Sequence, residues 1–453
     1  MPNYAEMPME ELLAPHRHVC ACGKTHGADL KIFRCGKNVI NDLPEVLAQL
    51  GAKKPFVVCD PETYKAAGEK VCEILKANGI PFGFYMHPEK RPEPDEWSVG
   101  AITMAYDPTC DILCGVGSGV INDLCKVVAK AVGRPTVIVG TAPSMDGYAS
   151  NSSAMHSMGV KVSLYNPCPV AIIADTAIMA QAPMRMLWAG FGDMLAKYIS
   201  VCEWRISNIV TGEYYCEDIA ALMRKAVNRI VENAEKLLDR DPDAVGAVVE
   251  GLVLSGVAMS YAEISRPASG LEHYFSHVWE MMGMERGIRA DLHGIQVGVG
   301  SLITFKLYDW IKTLRPDKEK ALAYVRNFDE KAWEDMVRRV FGKTAPQILS
   351  IEKKAGKNDP ENHKKRLNAI VEHWDEILKI IDEELPDTDK MESLMKKLGM
   401  PMMPRDLNIS VEDAMDAFTG AREVRDKYLS CSFLWDMGLT EEGREKVGEI
   451  VRS

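Results

Sequence analysis

The sequence predicts an α/β N-terminal domain with a doubly wound, Rossmann-like parallel sheet, followed by an all-α C-terminal domain. Three observations support this. Short apolar runs alternate with helical patterns up to about residue 175, as parallel strands joined by helices require. Helical periodicity then continues without intervening strands. A length of 453 residues exceeds one simple core. We predict domains at 1–178 and 179–453, with the active site in the cleft between them.

Each predicted element is a short segment of one period. The predicted strands are 55–60, 81–86, 110–115 and 136–140, and the predicted helices around them are 64–78, 96–105 and 120–131. In the second domain the helical segments are 184–208, 217–238, 244–264 and 291–314, and the Lys- and Glu-rich sequence after Pro316 is also helical in composition. Pro183 is suited to opening the first of these helices.

The composition is that of a soluble globular enzyme, with 47% hydrophobic and 26% charged residues. A net charge of −11 argues against binding to nucleic acid but permits a small anionic substrate. The twelve scattered cysteines suggest buried thiols in a reducing compartment. Residues 1–15 lack the features of a signal peptide, and no apolar run approaches the roughly 18 residues of a spanning helix. We therefore expect a cytoplasmic protein without membrane insertion.

A glycine-rich turn, Gly115-Val-Gly-Ser-Gly119, follows a predicted strand and precedes a predicted helix. Ligands of such sheets bind beyond the carboxyl ends of the strands, and a helix N-terminus there offers N–H donors to a pyrophosphate. A tight turn without a ligand remains the alternative. Asp60 ends the first predicted strand. It either accepts hydrogen bonds from an adenosine ribose, which favours NAD over NADP, or is a plain turn residue before Pro61.

A hydroxyl-rich segment, Thr141-Ala-Pro-Ser-Met-Asp-Gly-Tyr-Ala-Ser150, follows the fourth predicted strand. Its hydroxyls are candidates for holding a nicotinamide and its ribose, and Asp146 is a candidate for binding substrate hydroxyls. An ordinary loop is also rich in Ser and Gly, so composition alone leaves both interpretations open.

One carboxylate and two imidazoles in the helical half form a candidate metal site. Asp193 lies inside an apolar helix, where a solitary carboxylate is costly. His273 and His277 share one helical face, and His293 begins another apolar helix. Three protein ligands leave positions open on a divalent ion, as catalytic metals require. Histidines on apolar helices are more often ordinary core or surface residues, so periodicity alone does not decide.

A second possible metal site is Cys20-Ala-Cys-Gly-Lys-Thr-His26. Two thiols and one imidazole are suitable zinc ligands. The C-x-C spacing differs from the usual C-x-x-C, and the sequence shows no evident fourth ligand.

Taken together, five segments resemble the glycerol-1-phosphate dehydrogenases, within the dehydroquinate-synthase-like, iron-containing alcohol dehydrogenase superfamily. They follow the family's order across about residues 50–305: GVGSGVIND (115–123), TAPSMDGYAS (141–150), GFGD (190–193), SGLEHYFSH (269–277) and HGIQVG (293–298). The second and fourth are the specific ones. Two features depart from the pattern: Pro143 stands where alanine is usual, and extra helical sequence follows about Pro316.

The resemblance implies a role for each matching residue. The NAD pyrophosphate, with NADP also possible, would be lined by Gly117, Ser118, Gly119, Val120 and Ile121. The nicotinamide half would contact Thr141, Ser144 and Ser150. The catalytic metal, usually zinc, with nickel or iron known among relatives, would be bound by Asp193, His273 and His293. The substrate would contact Asp146, Asp193 and His277, the last at its phosphate.

The resemblance also implies a reaction: reversible reduction of dihydroxyacetone phosphate to sn-glycerol-1-phosphate with NAD(P)H, as in phospholipid biosynthesis, by a homo-oligomer that is a dimer or larger. The metal would polarise the carbonyl. A glycerol or other polyol dehydrogenase is the nearest alternative. A dehydroquinate-synthase-like lyase would be expected to use Glu as its carboxylate ligand and more Lys and Arg, so Asp193 argues against it. A cofactor-binding sensor would not need the intact ligand set.

Overall fold

The computed structural model describes residues 3–14, 18–158 and 160–453; residues 1–2 and 15–17, at both ends of the segment searched for a signal peptide, and residue 159 lie outside this part. Its strands are β1 (His18–Val19), β2 (Thr25–His26), β3 (Ile32–Gly36), β4 (Pro55–Cys59), β5 (Gly83–Met86), β6 (Ile112–Gly117), β7 (Thr136–Gly140), β8 (Ser152–Ser157), β9 (Val160–Tyr165) and β10 (Ala171–Asp175).

The central sheet has six strands in the order β3-β10-β7-β6-β4-β5, and every pairing between neighbours is parallel. Strands β4, β6, β7 and β10 are buried at every position, which explains their uninterrupted apolar sequences. Gly117 at the end of β6 pairs with Gly140 at the end of β7. The two loops that sequence analysis selected therefore leave the sheet side by side.

The predicted fold class is confirmed, and all four predicted strands are present. Sequence analysis missed β3, β10 and the antiparallel hairpins β1–β2 and β8–β9. Strand β3 is half-buried at every position because it lies at an edge of the sheet, and its sequence therefore contains no purely apolar run.

The helices occupy most of the chain after β10. The α-helices are α1 (Met9–Leu12), α2 (Leu43–Gln49), α3 (Pro61–Thr63), α4 (Glu69–Ala77), α5 (Glu96–Ala105), α6 (Gly119–Val132), α7 (Thr176–Met179), α8 (Met184–Thr211), α9 (Glu217–Asn233), α10 (Pro242–Ala262), α11 (Leu271–Arg286), α12 (His293–Ile311), α13 (Lys318–Arg326), α14 (Glu330–Phe341), α15 (Ala345–Ala355), α16 (Pro360–Glu372), α17 (Trp374–Glu384), α18 (Thr388–Leu398), α19 (Val411–Ala421), α20 (Ser430–Asp436) and α21 (Thr440–Arg452). A π-helical segment, Tyr64–Gly68, joins α3 to α4.

The chain divides by contacts into two compact units. The first comprises Met1–Met194 and Glu217–Ser265, so it contains the sheet together with α9 and α10. The second comprises Leu195–Cys216 and Arg266–Ser453 and is helical. The boundaries of these contact-based units differ from the predicted domain boundaries, 1–178 and 179–453. The predicted division concerns folding domains and stays a prediction.

Helix α10 is the most apolar long helix in the described part of the chain. By length and composition it could cross a membrane, but 78% of its most apolar 18-residue window is buried inside the protein. Core helices of this kind satisfy the same criterion, so the helix gives only weak support for a membrane span.

Candidate active site

The glycine-rich turn joins β6 to α6 in the first unit. A Cβ on Gly117 would come within 2.6 Å of the Ile121 side chain, so only glycine fits this turn without a shift. Ser118 precedes α6, and its side chain makes no capping hydrogen bond to the helix. Thr141 donates its N–H to the Gly117 carbonyl, with 3.1 Å between N and O. The turn thus presents the start of α6 beside the first residue of the hydroxyl-rich loop, an arrangement suited to a pyrophosphate.

A buried lysine holds the hydroxyl-rich loop in place through its backbone carbonyls. Lys126 on α6 is fully buried, and its Nζ lies 3.3 Å, 3.5 Å and 2.5 Å from the carbonyl oxygens of Gly147, Ser150 and Ser152. It also pairs with Asp123 at 2.9 Å. Sequence analysis did not identify Lys126. Lys126 lies among the buried, mostly apolar residues of α6, and a lysine at such a position indicates a structural role.

Helix α8 approaches the same loop at Gly190. An added Cβ there would lie 1.9 Å from the Pro143 carbonyl oxygen, so the GFGD segment requires glycine at this point. Three residues later, the fully buried Asp193 accepts a hydrogen bond from the Asp146 N–H, with 2.8 Å between N and Oδ2. Ser255 donates to Asp146 Oδ2 at 2.8 Å. The structure therefore brings together the two carboxylates predicted from separate motifs, and adds Ser255, which sequence analysis missed.

Asp60 caps a helix. Its side chain accepts hydrogen bonds from the N–H groups of Glu62 and Thr63, each at 2.9 Å, and Thr63 Oγ1 accepts one from Asp60 N. Burial raises the pKa of the Asp60 carboxyl, while these hydrogen bonds lower it. The ordinary turn role is thus observed, and a contact with the cofactor ribose stays a prediction.

Three histidines cluster on α11 and α12 in the second unit. The ring centroids of His273 and His293 lie 5.3 Å apart, and those of His277 and His293 lie 5.6 Å apart and stacked. The helices can approach closely because α12 has a glycine at position 300, where a Cβ would come within 2.6 Å of the Glu272 carbonyl oxygen. The structure therefore places His273 and His277 on one face of α11 and brings His293, which was also predicted, against them from α12.

Neighbouring acids and a hydroxyl orient these rings. His273 Nδ1 lies 2.8 Å from Glu272 Oε1. His293 Nδ1 lies 3.0 Å from Ser276 Oγ and 3.4 Å from Glu280 Oε1. A ring that donates its Nδ1 proton to a carboxylate carries its lone pair on Nε2, which is how metal-binding histidines are usually held. Glu280 also lies 3.7 Å from His277 Nδ1. Sequence analysis missed Glu280, although the His-x-x-Glu spacing on α11 could have identified it.

A buried pair of glutamates lies at the start of α11. Glu203 accepts hydrogen bonds from the N–H groups of Leu271 and Ser430, both at 2.9 Å. Burial and the negative charge of Glu272 raise the pKa of Glu203 to about 7. Sequence analysis missed Glu203 because its partners lie far away along the chain. Its carboxyl anchors the turn that carries His273.

Each half of the predicted ligand set is built within its own unit. Asp193 belongs to the first unit and the two histidines belong to the second. Their joint coordination of one metal, like the contacts predicted for cofactor and substrate, stays a prediction.

The chain resembles known proteins both in sequence and in fold. Residues 34–183 match the iron-containing alcohol dehydrogenase family. A glycerol-1-phosphate dehydrogenase of Halalkalibacterium halodurans is 29% identical over 436 residues, which cover 94% of this chain and 98% of that protein. The glycerol-1-phosphate dehydrogenase of Pyrococcus furiosus is 36% identical over 281 residues, which cover 61% of this chain and 79% of that protein. The helical sequence after Pro316 thus has a counterpart in the bacterial relative.

Solved structures share the fold at low sequence identity. The glycerol dehydrogenase of Schizosaccharomyces pombe superposes with a TM-score of 0.62 at 16% identity, covering 93% of this chain and 91% of that one. An iron-containing alcohol dehydrogenase of Thermotoga maritima gives 0.57 at 16% identity, covering 93% and 98%.

The six-stranded parallel sheet and the helical region have the architecture of the iron-containing alcohol dehydrogenases. Within that class, the sequence is most informative in its similarity to the glycerol-1-phosphate dehydrogenases of Pyrococcus furiosus and Halalkalibacterium halodurans. The chain belongs to the glycerol-1-phosphate dehydrogenase family.

Proposed function

We propose that this chain reversibly reduces dihydroxyacetone phosphate to sn-glycerol-1-phosphate, with NADH or NADPH as reductant and one divalent metal bound by Asp193, His273 and His293. Membership of the family supports the reaction. The observation that carries the proposal is the orientation of the two histidines. Both have Nδ1 beside a carboxylate, as histidines that bind a metal through Nε2 usually do.

The donor set suits a catalytic metal. Two imidazoles and one carboxylate suit zinc, nickel or iron, and three protein ligands leave room for a substrate oxygen. Asp193 is fully buried, and a carboxylate in that position is costly unless its charge is compensated. A bound cation would supply that compensation.

The first unit would hold the cofactor and the polyol end of the substrate. The glycine turn would receive the pyrophosphate, and Thr141, Ser144 and Ser150 would receive the nicotinamide half. Asp146 is held by Ser255 at one carboxylate oxygen and donates its N–H to Asp193, so its position is fixed before substrate arrives. Such prior fixing lowers the entropic cost of the reactive geometry.

The second unit would recognise the phosphate. His277 lies one helical turn from His273, with its Nδ1 3.7 Å from Glu280 Oε2, and would contact the phosphate. When bound, the reduced nicotinamide supplies the hydride and the metal polarises the substrate carbonyl. The residues of the chain orient the carbonyl carbon toward that hydride, and the face they expose sets the configuration of the product.

Metal dependence is tested in an anaerobic assay of dihydroxyacetone phosphate and NADH with metal-stripped protein, to which zinc, nickel or iron is returned. We expect no turnover without metal and recovery with at least one ion. His273→Ala should lose both metal binding and turnover, whereas the control His373→Ala, at a half-buried histidine in the second unit, should keep both. Full activity of metal-free His273→Ala protein would refute the proposal.

Substrate identity is tested by comparing glycerol-1-phosphate with glycerol in the oxidative direction. We expect a preference for the phosphorylated substrate, and His277→Ala should raise KM for glycerol-1-phosphate far more than KM for glycerol. Equal use of glycerol by the unmodified enzyme would instead identify a polyol dehydrogenase. Parallel assays with NADH and NADPH test the preference for NAD that Asp60 predicts.

A further inference from the structure

The N-terminal hairpin β1–β2 gathers two thiols and an imidazole outside the candidate active site. The turn between the strands closes with Cys20 N donating to the Lys24 carbonyl at 3.0 Å, and with Gly23 N donating to the Cys20 carbonyl at 3.1 Å. Gly23 has φ +85°, a left-handed conformation that favours glycine. Cys20, Cys22 and His26 each offer a ligand atom, and these atoms lie within 4.8 Å of one another. The tight turn thus brings a C-x-C pair onto the same histidine.

The imidazole of His26 is oriented as in a metal ligand. Its Nδ1 lies 2.6 Å from the carbonyl oxygen of Tyr261, so this nitrogen carries the proton and donates it. The ring also stacks on Tyr261, with centroids 5.7 Å apart and planes 7° from parallel. Nε2 therefore carries the lone pair, and it faces Cys22 Sγ at 3.1 Å. A backbone carbonyl behind the ring is the usual support for a metal-binding histidine.

A further thiol is carried by the segment that enters α9. Cys20 Sγ donates to Asp218 Oδ2 at 3.2 Å, which places the first turn of α9 against the hairpin within the first unit. Cys216 is bonded directly to Glu217, the first residue of that helix, and is buried. The peptide bond between them holds Cys216 close to Asp218, and therefore close to the hairpin.

We propose that Cys20, Cys22, His26 and Cys216 bind one structural Zn²⁺. Three thiolates and one neutral imidazole form a closed tetrahedral set, which zinc prefers and which leaves no position for a substrate. Binding releases the proton of each thiol to solvent, and the hydrogen bond from Cys20 to Asp218 is replaced by a bond from sulfur to zinc. The ion ties the N-terminal hairpin to the start of α9 and, through His26, to the end of α10.

The structural role separates this site from the proposed catalytic metal. The ligands are different residues with different donor atoms, so the two sites have different spectroscopic signatures. The zinc site does not depend on the proposed reaction, and it survives if that reaction proves wrong. Substitution at His273 should leave it intact.

The test measures metal content and sulfur coordination in the purified full chain. We expect zinc bound through thiolates, and the cobalt-substituted protein should show thiolate-to-cobalt charge transfer with tetrahedral ligand-field bands. The double variant Cys20→Ser/Cys22→Ser should lose one zinc per chain and these bands. Cys35→Ser, at a thiol on β3, should keep both, and His273→Ala should keep the bands because it removes only the proposed catalytic metal. Cys216→Ser should weaken retention of the ion in a chelator competition at least tenfold.

A wild-type experiment covers variants that fail to fold. Stepwise titration of the unmodified protein with an organomercurial should release zinc as the thiols react, and hydrogen exchange in residues 18–26 should accelerate after release. No thiolate signature in the wild-type protein, or equal zinc content in the double variant, would overturn the site. Retention by Cys216→Ser equal to the wild type would overturn the four-ligand assignment.

Discussion

Gly190→Ala is the sharpest test of how the chain positions the loop 141–150. The added Cβ would stand 1.9 Å from the Pro143 carbonyl oxygen. An ordinary contact begins at 3.4 Å, so loop and helix must separate by about 1.5 Å. Neither side yields easily, because Gly190 lies on the buried part of α8 and the loop is held by Lys126.

The cost should appear in both stability and activity. Overpacking of a filled interior typically costs about 1–3 kcal/mol. Displacing the loop also moves Thr141, Ser144 and Asp146, and a misplacement of about 1 Å in a positioning group can lower the rate roughly 100-fold. We therefore expect a fall of about 2 kcal/mol in the free energy of unfolding and a loss of about two orders of magnitude in kcat/KM.

The assay pairs urea unfolding with NADH binding and steady-state kinetics. Gly100→Ala is the matched control: it lies in α5 of the same unit, and its added Cβ meets nothing within 4 Å. The control should gain about 0.5–1 kcal/mol, because alanine is favoured over glycine in a helix. If Gly190→Ala unfolds and turns over like the wild type, the loop is not held as described.

Three further predictions address other parts of the site. Gly300→Ala puts a Cβ 2.6 Å from the Glu272 carbonyl oxygen and should push α12 from α11, lowering affinity for the catalytic metal at least tenfold by isothermal titration. Lys126→Met should lower the free energy of unfolding by about 3 kcal/mol and weaken NADH binding, because two loop carbonyls, the Ser152 carbonyl and Asp123 lose their cation; unchanged NADH affinity would contradict its role. The pKa of Glu203 is raised from 4.5 to about 7, so the folded chain keeps a proton that the unfolded chain releases. The free energy of unfolding should therefore fall between about pH 4.5 and 7, and Glu203→Gln should remove about 3 kcal/mol of that fall; parallel pH profiles of the two proteins would show that Glu203 titrates normally.

Sequence periodicity predicted β4, β6 and β7, which are buried at every position, although β10, which is equally buried, was missed. Strand β7 was predicted residue for residue, and α5 likewise, because burial on both faces or on one stripe leaves a regular pattern. Edge strand β3 left no such pattern, since its residues are all half-buried. The assignment of α9 and α10 to the unit that holds the sheet was not predictable, because a helical pattern does not state what its apolar face contacts.

The candidate site divides in the same way. Short motifs identified Asp146, Asp193, His273, His277 and His293, because each lies in a segment whose composition and spacing are local properties. The residues that hold them were not identified. Ser255 contacts Asp146 across 109 positions, and Glu203 contacts Leu271 across 68. Nothing local marks such residues, since serine and glutamate are common on helices.

The sequence by itself determined the fold class, the glycine turn, the family and the residues proposed to bind metal and substrate, because these depend on local periodicity and on motifs of a few residues. Only the tertiary structure showed how Asp146 meets Asp193, how acids orient His273 and His293, and how Cys20, Cys22 and His26 converge beside the start of α9. Those relations join residues distant along the chain, and packing of whole elements, which no local pattern records, decides which of them meet.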